Sequence, residues 1–406
     1  MTPMIDAARL LSRLQQLGAT GRDEAGRLCR IAASDADRDG RDLLCRWLAE
    51  AGLRIEIDRI GNIHGIWQPD GATGDPVVMG SHIDTVIDAG IYDGCYGVLS
   101  GLAVIEAMQQ AGLRPARPLA VVAYTNEEGV RYAPDMMGSL VAAGGLAADA
   151  ALAVIGTDGT TLGAELERIG YAGPHEPGFI KPHAYVELHI EQGPILEAEG
   201  YALGAVENLQ GISWQQVTIG GSANHAGTTP MTLRRDAGVA AARVLTFLDQ
   251  LARQTPHAVA TVGTIGFEPN AINVIPSTAS FTIDLRNPDE ERLKSQEAAL
   301  GEFLAELEEE GFSVTTERLA RFQPVIFDPR IVASIEKAAA DRQLRCRRMT
   351  SGAGHDAQMI ARIAPAAMIF VPSRGGISHN PAEFTADSDL IAGANILFDV
   401  ARSLSQ

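Results

Sequence analysis

Histidines and carboxylates recur at the ends of apolar runs in this 406-residue chain, and these are the side chains able to do chemistry. Gly80-Ser81-His82-Ile83-Asp84-Thr85-Val86 is followed at once by Tyr92-Asp93-Gly94-Cys95-Tyr96-Gly97-Val98. Further on come Thr125-Asn126-Glu127-Glu128-Gly129, then His189 in a run ending Glu191-Gln192-Gly193-Pro194, then His379 in Gly375-Gly376-Ile377-Ser378-His379-Asn380-Pro381. A neutral imidazole nitrogen and a carboxylate oxygen suit Zn²⁺ or Mn²⁺. Three imidazoles and two carboxylates make a sensible binuclear site, in which one bridging carboxylate and one bridging water hold two ions about 3.5 to 4 Å apart. Asp93, in a glycine-rich turn, is the natural bridge, and Asp84 is placed to orient the His82 ring. Of the adjacent Glu127 and Glu128, one can point at the metals while its neighbour takes a proton from the bound water. A bound divalent ion lowers that water's pKa to around 7, which provides a nucleophile without serine or cysteine.

Taken singly, each feature has a structural reading. Paired acids after a strand commonly open a solvated helix, and a histidine on an apolar strand, such as His189, is commonly a satisfied core residue. Three of the nine histidines lying at strand exits, each beside carboxylates and glycine, is the joint pattern that points to metal. His64, His175, His183 and His257 lack that context and read as surface or core residues. His355, in the glycine-rich stretch 351–357, either lines the site or braces the backbone.

The elements that must carry these residues are strands. Residues 75–79, 118–124, 183–194 and 366–371 read as continuous apolar strands, as in a parallel sheet buried on both faces, and their C-terminal ends are where ligands gather in α/β folds. Amphipathic helices are predicted over 5–17 and 41–51, a strand and turn over 54–67, and a helix over 98–112. Near residue 210 the texture changes: strand 212–220, helix 231–254, strands 258–267 and 273–285, helix 289–310 and strand 312–319. This β-α-β-β-α-β order is that of a ferredoxin-like sandwich, complete within about 115 residues and able to be an inserted domain. After a return linker at 324–329, a helix resumes over 331–343. The predicted fold is therefore α/β: a catalytic domain with a mixed, largely parallel sheet, built from residues 1–210 and 328–406, and an inserted ferredoxin-like α+β domain over 211–327.

A net charge of −18 and a pI near 4.9 argue against a nucleic-acid footprint and against anionic membrane surfaces. Cys29, Cys45, Cys95 and Cys346 are scattered, which favours free thiols in a reducing compartment over a disulfide framework. The first seventeen residues carry Asp6, Arg9 and Arg13 at helical spacing, and no stretch approaches about 18 uninterrupted apolar residues. The expectation is a soluble cytoplasmic protein.

The chemistry-bearing segments resemble the zinc-dependent amidohydrolases of the hydantoinase/carbamoylase family, relatives of the di-metal aminoacylases and carboxypeptidases. The matching pieces are GSHIDTV, YDGCYGV, YTNEEGVRYAPDMMGS, ELHIEQGP, GGSANHAGTTPM, FEPNAINVIP, DLRNP, SGAGHDA and GGISHNPAEF, in the family's order from residue 80 to residue 384. HIEQGP, with a histidine where the peptidase relatives usually have an acid, marks the amidase branch. The resemblance implies that His82 and His189 bind one metal, Glu128 and His379 the other, that Asp93 bridges them and that Glu127 is the general base. It assigns Gln192 and His225 to the substrate's carbamoyl end, His225 stabilising the oxyanion, and Asn273 and Arg286 to the substrate carboxylate, which a guanidinium bonds in bidentate fashion. It further implies a di-metal aminopeptidase-like catalytic domain, two divalent ions per subunit (Zn or Mn, with Ni or Co as alternatives), and a homodimer through the inserted domain. That domain would close as a lid about hinges near Gln210-Gly211 and Pro324. The implied reaction is hydrolysis of the ureido C–N bond of an N-carbamoyl-L-amino acid to the amino acid, CO₂ and ammonia. Allantoate amidohydrolase is the alternative: the HAGTTPM and TNEEG wording leans towards it, and Ser213, standing about where allantoate enzymes tend to have an arginine, leans against. β-Ureidopropionase and dipeptidase follow, the former differing by one methylene worth only about 1–3 kcal/mol. A protein that kept the fold and lost catalysis would be expected to lose the base or a ligand, and all six of those positions hold competent residues.

Overall fold

In a computed structural model that describes residues 4–406, the chain forms two compact units, one of residues 4–207 with 326–406 and the other of residues 208–325. The first is built on a nine-stranded mixed sheet in the order Arg54–Ile57, Ile63–Trp67, Leu119–Tyr124, Val77–His82, Ala184–Ile190, Ala366–Val371, Leu203–Leu209 and Val325–Ile326, with Cys346–Ser351 also paired to Leu203–Leu209. The four central strands run parallel, and their outer neighbours pair with them antiparallel. Every residue of those four strands is buried. Their mainly apolar sequence is thus explained by cover on both faces; the sheet is mixed, as expected from the sequence, with parallel pairing among these four of its nine strands.

The helix expected over 98–112 begins earlier, as Cys95–Gln110, with Gly94 as its N-cap. The glycine-rich turn bearing Asp93 therefore runs directly into the helix. From Cys95 to Met108 the helix is buried all round, which is why its sequence lacks a polar face. The run after His189 is not strand: the sheet ends at Ile190, and Glu191 turns back to accept the backbone N–H groups of Ile195 and Leu196 (2.8 and 2.9 Å), opening the short helix Ile195–Glu199.

The second unit is a five-stranded antiparallel sheet in the order Ser313–Phe322, Gly211–Gly220, Thr278–Asn287 and Val259–Thr261, with Ile265–Glu268 also paired to Thr278–Asn287. Helices Ala237–Gln254 and Glu290–Glu309 supply Val244, Leu248, Leu293 and Leu300 to a core shared with Val217, Ile219, Phe281 and Ile283. Burial alternates along Gly211–Gly220 and Thr278–Asn287, as in a sheet covered on one face. The helix expected from residue 231 starts at Ala237, because the Asp236 side chain caps it by accepting from Gly238 and Val239; residues 231–233 form a single 3₁₀ turn. Among the described residues no helix is long and apolar enough to cross a membrane.

Candidate metal centre

The parallel strands deliver their C-terminal residues to one edge of the first unit's sheet. His82 is the last residue of its strand, and its Nδ1 lies 3.0 Å from the Asp84 backbone oxygen. His189 makes the same arrangement with the Ile190 oxygen at 2.8 Å. A carbonyl oxygen only accepts, so in the neutral ring Nδ1 carries the proton and Nε2 presents a lone pair. Both lone pairs face Asp93 Oδ1, at 3.6 Å for His82 and 3.1 Å for His189. His379 Nε2 lies 3.3 Å from Asp93 Oδ2 and 3.4 Å from Glu128 Oε2. Among the described residues three groups of convergent donor atoms span no more than 4.8 Å each: His82–Asp93–His189 and Asp93–Glu128–His379, which share Asp93, and Glu187–His189–His355.

Gly94 makes this approach possible. It sits at φ 63°, and a Cβ there would lie 2.4 Å from His82 Nε2. Its N–H instead donates to His189 Nε2 at 3.1 Å.

Imidazole nitrogens gathered on carboxylate oxygens about a hydrogen-bond length away are held together by positive charge, whether a proton on the ring or a cation between them. Glu128 Oε1 adds a buried oxygen with no hydrogen-bond partner. The electrostatics agree. Burial raises the Glu127 carboxyl well above its ordinary value, and burial with the Asp93 charge pushes Glu128 up to about 8. Burial by itself would lower His82, yet the Glu127 and Asp93 carboxylates outweigh it and raise the ring well above 6.5. Its hydrogen bond to Asp93 raises His379 to about 9. Asp93 goes the other way, its hydrogen bonds to His189, His379 and His82 outweighing burial and holding it well below its ordinary value. Carboxylates crowded in this way call for positive charge, and the nitrogen and oxygen donors present fit a divalent metal ion.

Glu127 stands beside the two groups that share Asp93, its Oε2 3.4 Å from His82 Nε2. The role expected for Asp84 needs correction. Its carboxylate comes no closer than 3.8 Å to His82 Nδ1, and the ring is oriented by the Asp84 backbone oxygen instead. The carboxylate accepts the backbone N–H groups of Glu127 and Glu128, both at 3.2 Å, and so ties two strand exits together.

Gln192, at φ 58°, donates from Nε2 to Asp93 Oδ2 at 2.8 Å, while its Oε1 is buried without a partner. His355 lines the site: with Asp93, Glu127, Glu128, Gln192 and His379 it borders a cavity of about 150 Å³, its ring edge-on to His189 at 4.5 Å. Sequence reasoning missed Glu383, whose Oε1 accepts the N–H groups of Tyr92 (3.0 Å) and Asp93 (3.3 Å) and whose Oε2 meets the Ser378 hydroxyl at 3.0 Å. Its position four residues after His379, in SHNPAEF, was the available signal.

His225, Asn273 and Arg286 belong to the second unit. His225 is exposed on a loop bridged to Val274, and the Ala226 N–H donates to the Asn273 oxygen at 2.9 Å, so these two loops lie side by side. Arg286, half-buried on Thr278–Asn287, engages the Asp284 carboxylate at 2.8 Å. Ser213 is fully buried, donates to Glu297 at 2.5 Å and accepts from Arg318 at 3.2 Å. It packs beneath helix Glu290–Glu309, which weakens its use as a marker against allantoate.

The family model for peptidase family M20/M25/M40 matches residues 78–403. Over 396 residues the chain is 40% identical to an N-carbamoyl-L-amino-acid amidohydrolase of Rhizobium meliloti, covering 97% of this chain and 95% of that protein. Over 396 residues it is 33% identical to an allantoate amidohydrolase of Bacillus subtilis, covering 97% and 96%. A solved amidase of the hydantoinase/carbamoylase family from Burkholderia multivorans superimposes with a TM-score of 0.97 at 41% identity, over 100% of this chain and 99% of that one. The motif resemblance is thereby borne out over the whole length, and the chain belongs to peptidase family M20/M25/M40 and, within it, to the hydantoinase/carbamoylase family of amidases.

Proposed function

We propose that the protein hydrolyses the ureido C–N bond of an N-carbamoyl-L-amino acid, releasing the amino acid, CO₂ and ammonia. The observation that carries this reading is the pair of donor groups sharing Asp93 with Glu127 beside them, on a chain 40% identical to an N-carbamoyl-L-amino-acid amidohydrolase. His82, Asp93 and His189 would hold one divalent ion and Asp93, Glu128 and His379 a second, Zn²⁺ or Mn²⁺ with Ni²⁺ or Co²⁺ as alternatives; when bound, such ions polarise the scissile carbonyl and acidify water. Glu127, buried and raised in pKa, takes the proton of the attacking water and delivers it to the departing nitrogen. The unpartnered Gln192 oxygen accepts from the carbamoyl NH₂. His225 would polarise the carbonyl, and Asn273 and Arg286 would bind the carboxylate, the guanidinium in bidentate fashion. Residues 208–325 would act as a lid and as the interface of a homodimer. Four free cysteines suit a cytoplasmic setting.

The test is ammonia release by Mn²⁺- or Zn²⁺-loaded protein from N-carbamoyl-L-amino acids, allantoate, N-carbamoyl-β-alanine and dipeptides, with a chelated control. Turnover of an N-carbamoyl-L-amino acid that chelation abolishes supports the reading. Turnover of allantoate or of N-carbamoyl-β-alanine alone moves the substrate within the class, and turnover of dipeptides alone overturns it. Glu127→Gln should lower kcat by about 10²- to 10⁴-fold with metal content intact; substantial residual activity would refute its role as base.

A further inference from the structure

Three arginines of the first unit are buried to 5% exposure or less, and two of them have carboxylate partners: Arg13 pairs with Glu106 and Arg41 with Asp37, each at 2.7 Å. Arg30 differs. It has no exposed surface, and among the described residues no ion pair joins it to a carboxylate. Its guanidinium is spread over neutral acceptors: Nε donates to the Ile83 oxygen at 2.6 Å, Nη1 to the oxygens of Leu17 (2.8 Å) and Thr20 (2.7 Å), and Nη2 to Cys95 Sγ at 3.1 Å. The Arg30 backbone closes the same contact, its N–H donating to Thr85 Oγ1 at 3.0 Å and its oxygen accepting the Thr85 N–H at 3.0 Å.

These acceptors flank the metal centre. Ile83 follows His82, and Cys95 lies two residues after Asp93. One planar group thus joins the strand exit carrying one donor to the turn carrying the shared carboxylate. A guanidinium does this because its donors point in fixed directions in one plane, whereas an ammonium is a single point.

The fold reserves space for it. Gly40 lies inside helix Asp35–Glu50, where glycine costs about 1 kcal/mol relative to alanine. A Cβ at Gly40 would lie 2.5 Å from Arg30 Cδ. The unfavourable helix residue makes room for the arginine stem.

We propose that Arg30 is a positioning residue of the metal centre, fixing the distance between His82 and Asp93 without itself touching metal or substrate. This rests on the metal reading above. It also assigns a task to a segment lying before residue 78, where the family match begins.

The test uses the whole 406-residue chain, with Mn²⁺ alone as the probe. Metal affinity and stoichiometry are measured by equilibrium dialysis and electron paramagnetic resonance for wild type, Arg30→Met, Arg30→Lys, Gly40→Ala and His82→Ala, with melting curves of the metal-free forms. Arg30→Met is expected to weaken the ion held by His82 about tenfold or more. The coupled two-ion spectrum should give way to that of one ion at Mn²⁺ concentrations that saturate wild type. Arg30→Lys should recover part of the loss. Gly40→Ala, which keeps the arginine but displaces it, should shift affinity in the same direction while its helix propensity improves. Simple destabilisation would not remove one ion selectively. Wild-type affinity for both ions in Arg30→Met, or in Gly40→Ala if Arg30→Met does not fold, overturns the proposal while leaving the metal reading intact. If wild type binds no more Mn²⁺ than His82→Ala, the metal reading fails and the proposal with it.

Discussion

Gly94 shows how much a single backbone position decides. At φ 63° it would strain any other residue, and a methyl group there would overlap the His82 ring at 2.4 Å. Gly94→Ala should therefore turn the imidazole away from Asp93 and weaken metal binding by about 10- to 100-fold, with a comparable loss of metal-dependent turnover. Metal titration of the purified variant checks this, and unchanged affinity would show that the ring does not need that space. The sequence made the turn legible through its glycines. It did not reveal that a histidine twelve residues earlier occupies the vacant Cβ position, since that proximity exists only once strand and turn have come together.

At the scale of an element, the strand Ile63–Trp67 carries His64 into the interior, where its ring meets Phe179 edge-on at 5.1 Å and Nδ1 has no hydrogen-bond partner. Burial pushes this imidazole down from 6.5 to about 4. The unfolded chain takes up a proton below about 6.5 that the folded protein refuses, so stability is full above that pH and declines as pH falls towards 4, by about 3 kcal/mol. His64→Leu should flatten this part of the acid limb. Urea unfolding of both proteins at pH 7 and pH 4 measures it, and equal losses on acidification would exclude His64 as a contributor. The same strand end shows a limit of pattern reading. Alternation and apolar runs located the strands, but whether a histidine within one is a silent core residue or a ligand depends on which neighbours the sheet order supplies.

For the whole molecule, all the donor atoms of the candidate metal centre lie in the unit of residues 4–207 and 326–406. A ligand that binds only folded protein adds stability by mass action, about 4 kcal/mol at a thousandfold excess over its Kd. Calorimetry of chelated and Mn²⁺-loaded protein should thus move the transition of that unit upward and leave that of residues 208–325 in place. A common shift of the entire heat signal would mean that the two units melt as one cooperative body.

The order and type of the elements were set by local sequence, because apolar periodicity, glycine turns and buried runs act over a few residues. His82, Asp93, Glu128, His189 and His379 could be picked out for the same reason: each sits at a strand exit or in a glycine-rich turn that short-range pattern reveals. What Asp84, Glu383 and Arg30 do was decided by tertiary structure. Each acts on residues far away in the chain, Asp84 on the Glu127 and Glu128 amides, Glu383 on the Tyr92 and Asp93 amides, and Arg30 on Ile83 and Cys95. Ser213, which the sequence offered as a mark against allantoate, is buried in the fold and bonded to Glu297 of a helix. Hydrogen bonds between distant segments leave no periodic trace, so they become visible only when the parallel strands bring their ends to a common edge.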